Sequence, residues 1–371
     1  MLPVTLMLGI SRSSARLLTF AAAGLASVAL ARDLLRRGRQ LDLRGRVAVV
    51  TGGSRGLGLL LAEELGRRGA RVAICGRDPD ALAHARARLE ALGVEVHAVA
   101  CDLGAREEAE AFVDSVVDAF GGIDVLINNA GSIEVAPIEE LGVEGIEASM
   151  RSNFWSAAHV TLRALPHLME RGSAARIVNI TSLGGRVSVP HMLGYSASKF
   201  AMVGLSEGLS AELARSGVKV TTVIPGLMRT GSIYNASFGG DAAREFAWFG
   251  VSASLPVLSM DARRAARRIV RAALEGRTEL KLGLTGRAAS MAHGVAPVLT
   301  TRALGVAARF LPRPTQGPGH ASAQRAGFAG RRGRDLRSPL PGTVLLRLSD
   351  RAAQRNNEEP PTSARTQNGS G

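Results

Sequence analysis

From residue 46 to residue 282 short apolar runs alternate with longer amphipathic ones, and that alternation leaves few folds open. Residues 46–51, 71–75, 94–101, 125–128, 176–180, 218–224 and 279–282 are dominated by Val, Ile, Leu and Ala, the composition of strands buried on both faces. Between them, residues 57–68, 79–92, 105–120, 142–170, 194–216 and 261–275 carry apolar side chains at helical spacing. Strands separated by helices build βαβ units and a parallel sheet covered on both faces. The expected fold class is therefore α/β, a Rossmann-like doubly wound parallel sheet in one domain. Residues 227–258 show no clean period, and the chain beyond about 311 is rich in Pro, Gly, Ser, Arg and Gln, which cannot build a core. The chain reads as an apolar and basic N-terminal segment (1–43), a nucleotide-binding domain (44–284), a helical extension (285–311) and a disordered basic tail (312–371).

The formal charge of +14 sits mostly at the ends. Residues 1–46 carry eight Arg against two acids and residues 311–371 ten Arg against four, which leaves +2 for the centre. A basic groove on the folded domain is not indicated, so no nucleic-acid partner is expected. Tails of this kind are commonly solvated and can also touch anionic lipid. Two Cys, Cys75 and Cys101, and seven scattered His offer neither a disulfide framework nor metal-ligand spacing, so no metal is expected. Both Cys fall near the carboxyl ends of neighbouring strands, where core packing beside a nucleotide pocket is the expected role.

Residues 17–31 form an apolar run between Arg16 and Arg32. As a helix the run reaches about 22 Å, short of the roughly 30 Å hydrocarbon core of a bilayer. Six Arg follow it by residue 46 and two precede it, which keeps the main domain on the cytoplasmic side if the run enters a membrane. We expect an anchor or interfacial helix at the cytoplasmic face. A docking helix remains an alternative, as does a cleaved signal, whose processing site Ala29-Leu30-Ala31 imitates.

The turn after the first strand reads Thr51-Gly52-Gly53-Ser54-Arg55-Gly56-Leu57-Gly58. Glycines between a strand and a helix permit a sharp turn and let backbone N–H groups approach a pyrophosphate at the helix N-terminus. An acid at the end of the second strand would hold the ribose 2′-OH of NAD; here the chain has Gly76 followed by Arg77. Arg77 and Arg55 suit a 2′-phosphate. NADP(H) is expected in preference to NAD(H), and NAD(H) stays open if Asp78 takes the ribose instead.

Tyr195 and Lys199 stand four residues apart in a chain with only two Tyr and three Lys. Such a pair arises by chance with an expectation of about 0.02. On a helix the two share a face, and a neighbouring cation favours the phenolate and lowers the Tyr pKa from its usual value near 10. The pair is a candidate general acid/base.

Taken in order, the Gly-rich turn at 51–58, Cys101-Asp102-Leu103, Asn128-Asn129-Ala130-Gly131, Asn153, Ser182, Tyr195 with Lys199, and Pro225-Gly226 with Thr230 resemble the classical short-chain dehydrogenase/reductase family over about residues 44–284. That resemblance implies an oxidoreductase in which Tyr195 moves the proton of the substrate oxygen. It implies that Lys199 tunes Tyr195 and bonds the nicotinamide ribose, that Ser182 hydrogen-bonds the substrate oxygen, and that Asn153 holds a relay water. It implies cofactor contacts from Thr51, Gly52, Ser54, Arg55, Gly56, Leu57 and Gly58, from Arg77, from Asp102 and Leu103 beside the adenine, and from Asn129, Ala130 and Gly131. Pro225, Gly226 and Thr230 would border the nicotinamide. It also implies a homodimer or homotetramer through the long helices after strands four and five.

Residues 227–258 occupy the place of that family's variable lid and hold Tyr234, Phe238, Phe246, Trp248 and Phe249. Scarce aromatics gathered there suit a hydrophobic carbonyl or alcohol substrate, or else they pack the lid onto the core. Two rivals share the fold: a redox-neutral epimerase or dehydratase, and a non-catalytic, membrane-tethered NADP-binding scaffold. His191 is expected to be structural.

Overall fold

The computed structural model describes residues 40–254, 259–315, 330–332, 336 and 351–358. Every element below belongs to the compact unit that begins at Asp42. The run at 17–31 lies outside the described residues. Among the described residues no helix is long and apolar enough to cross a membrane.

Seven strands form the central sheet: β1 (Val47–Val50), β2 (Arg71–Gly76), β3 (Val96–Ala100), β4 (Val125–Asn128), β5 (Arg176–Ile180), β6 (Lys219–Pro225) and β7 (Glu279–Leu282). Their order is β7-β6-β5-β4-β1-β2-β3, all parallel. The order reverses between β1 and β4, and a doubly wound sheet binds its ligand outside the carboxyl ends of the strands at that switch. β1, β4 and β5 are buried along their whole length; β1 is apolar throughout, while β4 and β5 also bury Asn128, Arg176 and Asn179.

Helices α1 (Gly56–Gly66), α2 (Pro79–Glu90) and α3 (Arg106–Phe120) follow the first three strands. α3 buries Ala109, Phe112, Val113, Val116 and Phe120, the spacing of one helical face. Burying a side chain such as Phe112 contributes about 2–3 kcal/mol. α8 (Ala262–Leu274) presents Ala265, Ala266, Ile269, Val270 and Ala273 to the interior and packs against α1. Asp261 caps it by accepting the Arg264 N–H at 3.0 Å.

The single helix expected over 142–170 is three pieces. α4 (Ile138–Met150) contains a break at Gly142, with φ 63°. A π-helical turn at Arg151–Trp155 follows, and then α5 (Ser156–Arg171). The π turn carries Asn153, and such bulges commonly sit at functional sites. α6 (Leu193–Glu212) follows β5 and carries Tyr195 and Lys199. The stretch 227–258 contains α7 (Ala242–Ser254) and short strands at Leu227–Arg229 and Ser237–Phe238. Beyond β7 the chain forms α9 (Leu284–Val295) and α10 (Pro297–Ala308).

The reading of 312–371 as a tail without a core needs correcting for residues 351–358. Residues 351–355 form a helical turn, and Ala352, Ala353, Asn356 and Glu358 are buried. Two alanines give no periodic signal, and the surface that Ala353 covers, at Gly231, lies far away in the chain.

Polar side chains cross the core beside the site. Asn128 Nδ2 donates to Asn179 Oδ1 at 2.9 Å and to Thr161 Oγ1 at 2.8 Å, Asn179 Nδ2 donates to Ser206 Oγ at 2.9 Å, and Ser206 meets Thr222 at 2.7 Å. Asn179 is fully buried. Asn179→Ala strands a donor on one side and an acceptor on the other, so a loss of about 2–4 kcal/mol is expected in urea unfolding. An unchanged midpoint and slope would show that the network contributes nothing.

Candidate active site

The switch point opens into a cavity of about 820 Å³, within the usual range for small-molecule and cofactor sites. Of the site residues expected from the sequence, all but Thr51 line it: Gly52, Ser54, Arg55, Gly56, Leu57, Gly58, Arg77, Asp102, Leu103, Asn129, Ala130, Gly131, Asn153, Ser182, Tyr195, Lys199, Pro225, Gly226 and Thr230. Thr51 sits behind the wall. Its hydroxyl accepts the N–H groups of Asn129 and Ala130 at 2.9 and 3.0 Å, and Asn129 Nδ2 donates back to the carbonyls of Thr51 and Gly52 at 3.0 and 3.2 Å. These bonds tie the Gly-rich turn to the end of β4.

The turn is as tight as glycine allows. A Cβ on Gly58 would stand 2.1 Å from the Gly52 carbonyl oxygen, and one on Gly53 would stand 2.5 Å from Ile74 Cγ2. Gly52 and Gly56 adopt φ of 62° and 57°, where L side chains are strained. The turn and the N-terminus of α1 form the kind of cradle that accepts a dinucleotide pyrophosphate.

At the end of β2, Arg77 is exposed on the cavity rim. Arg55 donates to Asp78 Oδ2 at 2.7 Å and to Asn235 Oδ1 at 3.2 Å. Asp78 also caps α2 through the Ala81 N–H. That cap, with the Arg55 guanidinium, holds its carboxyl below the usual range against the opposing effect of burial. Cys75 and Cys101 both line the cavity at this end, and burial pushes the Cys75 thiol well up, so it is a packing group and not a nucleophile.

Asp102 accepts the Gly104 N–H at 3.0 Å, while its own N–H donates to Glu108 at 2.8 Å. Leu103 is buried against the α3 core.

At the other end Lys199 is buried and Tyr195 partly buried, and Lys199 Nζ lies 5.8 Å from the centre of the Tyr195 ring. The expected lowering of the Tyr195 pKa is not found in the ligand-free protein. Burial pushes it up to about 12, a hydrogen bond with Ser182 pulls it down, and the charge of Glu134 adds to the rise. Lys199 stands over the ring face, not at the phenolic oxygen, and burial lowers its own pKa to about 8, with Glu134 working against that. Lys199 Nζ donates to the Ile180 carbonyl at 3.2 Å.

Asn153 Nδ2 donates to the carbonyls of Ser132 and Ser149 at 3.0 and 3.1 Å, while its buried Oδ1 has no partner among the described residues. Gly131 makes room for it: a Cβ there would meet Asn153 Oδ1 at 2.4 Å and Lys199 Nζ at 3.5 Å. Ser182 Oγ accepts the Gly184 N–H at 3.0 Å, which opens a short 3₁₀ turn after β5. Thr230 is buried and donates to Ser232 Oγ at 2.8 Å.

Sequence reading missed Glu134. It is buried, accepts a 2.6 Å hydrogen bond from Ser149 and another from Ser132, and sets the charge around both catalytic candidates. The only available signal was an acid between Ile133 and Val135. Missed too was Glu358, which lines the same cavity.

The lid aromatics divide. Phe238 and Phe246 pack edge to face at 5.5 Å within a buried cluster, while Trp248 and Phe249 line the cavity. His191, at φ 62°, bonds the buried Glu245 at 2.7 Å, and Glu245 also accepts from Trp248 Nε1 at 2.5 Å. His191 therefore anchors the lid and does not line the cavity.

A Gly-rich turn at a switch point, an orphaned Asn153 oxygen and a Tyr–Lys pair in one cavity fit a nicotinamide dinucleotide. The comparisons decide the family: residues 46–237 match the family model described as short chain dehydrogenase. The chain belongs to that family. A Streptomyces coelicolor protein carrying the name ketoacyl reductase is 40% identical over half of this chain and 71% of its own length. The Mycobacterium tuberculosis oxidoreductase SadH is 35% identical over 67% of this chain and 89% of its own. A crystal structure of a variant actinorhodin polyketide ketoreductase with NADPH superposes with a TM-score of 0.55 at 32% identity, covering 64% of this chain and 95% of that one. This short-chain dehydrogenase is thus an oxidoreductase with a seven-stranded Rossmann-like core.

Proposed function

We propose that the protein is an NADP(H)-preferring oxidoreductase that interconverts a secondary alcohol and a carbonyl on a hydrophobic substrate. The observation that carries this reading is Tyr195 against Lys199, with Ser182 on the same wall, in the cavity that holds the Gly-rich turn. The nicotinamide supplies or accepts the hydride. Tyr195 holds the proton exchanged with the substrate oxygen, and Ser182 orients that oxygen. Lys199 has donor capacity left after its bond to Ile180 and is placed for the nicotinamide ribose. The free Asn153 oxygen is placed to hold a water in a proton relay toward Lys199. Trp248, Phe249, Met192 and Val189 give the far wall its apolar character, which favours hydrophobic substrates.

Support for NADP(H) comes from the acid–base partners at β2. Asp78 is committed to Arg55 and to its helix cap, so it is not free for a ribose diol, while Arg77 stands on the rim. The related ketoreductase carries NADPH. The dinucleotide is to be held by the 51–58 turn, Asp102, Leu103, Asn129, Ala130, Gly131, Pro225, Gly226 and Thr230. Exposed Ile138 and Val143 on α4, Leu162 and Met169 on α5 and Phe200 on α6 support association through these helices. Light scattering that gives a monomer at micromolar concentration would remove that part.

The test is nicotinamide absorbance with NADPH or NADH against ketones and aldehydes graded by size and hydrophobicity. Oxidation that prefers NADPH and rises with hydrophobicity is expected. Equal affinity for NADH would sink the NADP assignment, and product formation without net redox change would favour an epimerase or dehydratase.

Glu134→Gln is expected to lower the pKa of Tyr195 and Lys199 together, because the Glu134 charge raises both. The limb of the alcohol-oxidation profile that rises as Tyr195 ionises then moves to lower pH. A change of amplitude with no shift of the limb would confine Glu134 to packing.

A further inference from the structure

We propose that the α9–α10 hairpin docks the protein on the surface of an anionic lipid bilayer. Leu284, Met291, Val295, Val298, Leu299 and Phe310 are between 64 and 86% exposed, and α10 has no buried residue. α9 packs on β7 and on the turn that follows Ser182, and α10 packs on α9, so the hairpin stands off the domain with its apolar side chains outward. Residues 283–315 contain Arg287, Arg302, Arg309 and Arg313 and no Asp or Glu.

The basic surface continues onto α8. Arg268 is partly buried, and the charges of Arg287, Arg264 and Arg277 add to the burial in holding its guanidinium below the usual range. Arg277 is paired with Glu275, while the Arg residues of the acid-free stretch 283–315 beside the exposed apolar side chains match the anionic headgroups and acyl boundary of a membrane. A second copy would bring the same Arg set against itself, which costs association free energy. Each helix has 12 residues, about 18 Å, so the hairpin lies in the interface and does not cross.

The test is sedimentation of the full chain with vesicles of phosphatidylcholine, alone or with phosphatidylglycerol. Binding is expected to be stronger with phosphatidylglycerol. It should weaken about tenfold in Val295→Asp/Leu299→Asp, with unchanged circular dichroism. Arg302→Glu/Arg309→Glu should keep the fold and lose the preference for the anionic vesicles. Unchanged binding in both variants overturns the proposal and points to another segment, such as residues 17–31. A dimer-to-monomer shift in the first variant without any vesicle effect assigns the surface to a second copy and also overturns it.

A separate observation carries a second inference, which rests on the cofactor reading above: the geometry points to residues 351–358 as an internal competitor of the dinucleotide. The Gly56 N–H at the start of α1 donates to the Asn356 carbonyl at 2.8 Å. Asn357 Nδ2 donates to the Ser54 and Ala81 carbonyls at 2.9 and 3.0 Å. The Glu358 carboxylate accepts the Gly231 N–H, and its Oε1 lies 2.8 Å from the place a Gly56 Cβ would take. Ala353 packs where a Gly231 Cβ would stand. The Glu358 carboxyl, which burial pushes up to about 8, thus sits at the helix N-terminus that the Gly-rich turn opens for a pyrophosphate, and both cannot occupy it.

Asn357→Ala/Glu358→Ala in the full chain should tighten NADPH binding about tenfold, the loss of roughly 1.4 kcal/mol of competing contacts. In the unaltered chain, NADPH should speed tryptic cleavage after Arg355 by releasing the segment. Equal affinity in the two proteins, or NADPH-independent cleavage, overturns the inference. Absence of NADPH binding in both overturns the cofactor reading itself, and the competitor with it.

Discussion

Replacing Tyr195 with Phe is expected to lower kcat by about 10²–10⁴-fold while NADPH affinity changes less than twofold, the range associated with removal of a positioned general acid/base. The substitution deletes one oxygen from a partly buried ring whose packing against Lys199 is otherwise kept. Stopped-flow measurement of hydride transfer alongside a fluorescence titration of NADPH separates the two effects. Loss of binding in parallel with rate would mean that the hydroxyl organises the cavity and moves no proton. An unaltered rate would remove Tyr195 from the chemistry. The ligand-free protein holds this phenol at about 12, chiefly by burial, so the neutral, proton-donating form is the resting one. Ionisation then has to be assisted within the loaded site, where Lys199 and the Ser182 hydrogen bond are the protein's means of lowering it.

Gly58→Ala is expected to weaken NADPH binding at least about hundredfold and to lower stability by about 1–3 kcal/mol. Its Cβ would stand 2.1 Å from the Gly52 carbonyl oxygen and 2.6 Å from Asn129 Nδ2. Relief would have to come from moving the turn or breaking the Asn129 bonds that tie it to β4. Gly204→Ala is the matched control. Gly204 is exposed within α6, and nothing lies within 4 Å of its would-be Cβ. The same change there should stabilise the protein by up to about 1 kcal/mol through helix propensity. Urea unfolding and NADPH titration on the two variants decide the matter. Wild-type affinity in Gly58→Ala would show that the turn does not cradle the nucleotide.

The βαβ order was legible because burial on both faces leaves β1 wholly apolar and gives β4 and β5 short apolar stretches, and because α3 and α8 bury one face only. The boundaries came within a few residues for the same reason. The long helix was not legible as three pieces. Its apolar period runs on through Arg151–Trp155, and only the tertiary fit of Asn153 between Ser132 and Ser149 favours the π turn. The site positions were legible through glycines and through the rarity of Tyr and Lys. Glu134 was not, because a lone carboxylate between apolar neighbours has no period.

The linear order of residues determined the sheet, the switch point and the set of side chains that surround it. These depend on local spacing and on which faces must leave water. Only the tertiary structure decided the electrostatics: burial, not the Lys199 charge, dominates the Tyr195 pKa, and Asp78 is spent on Arg55. It also decided that Asn356, Asn357 and Glu358 meet Gly56 and Gly231 in the nucleotide cradle. Contacts between residues hundreds apart carry no local signal, and the cost of burying a charge exists only once the surrounding chain has excluded water.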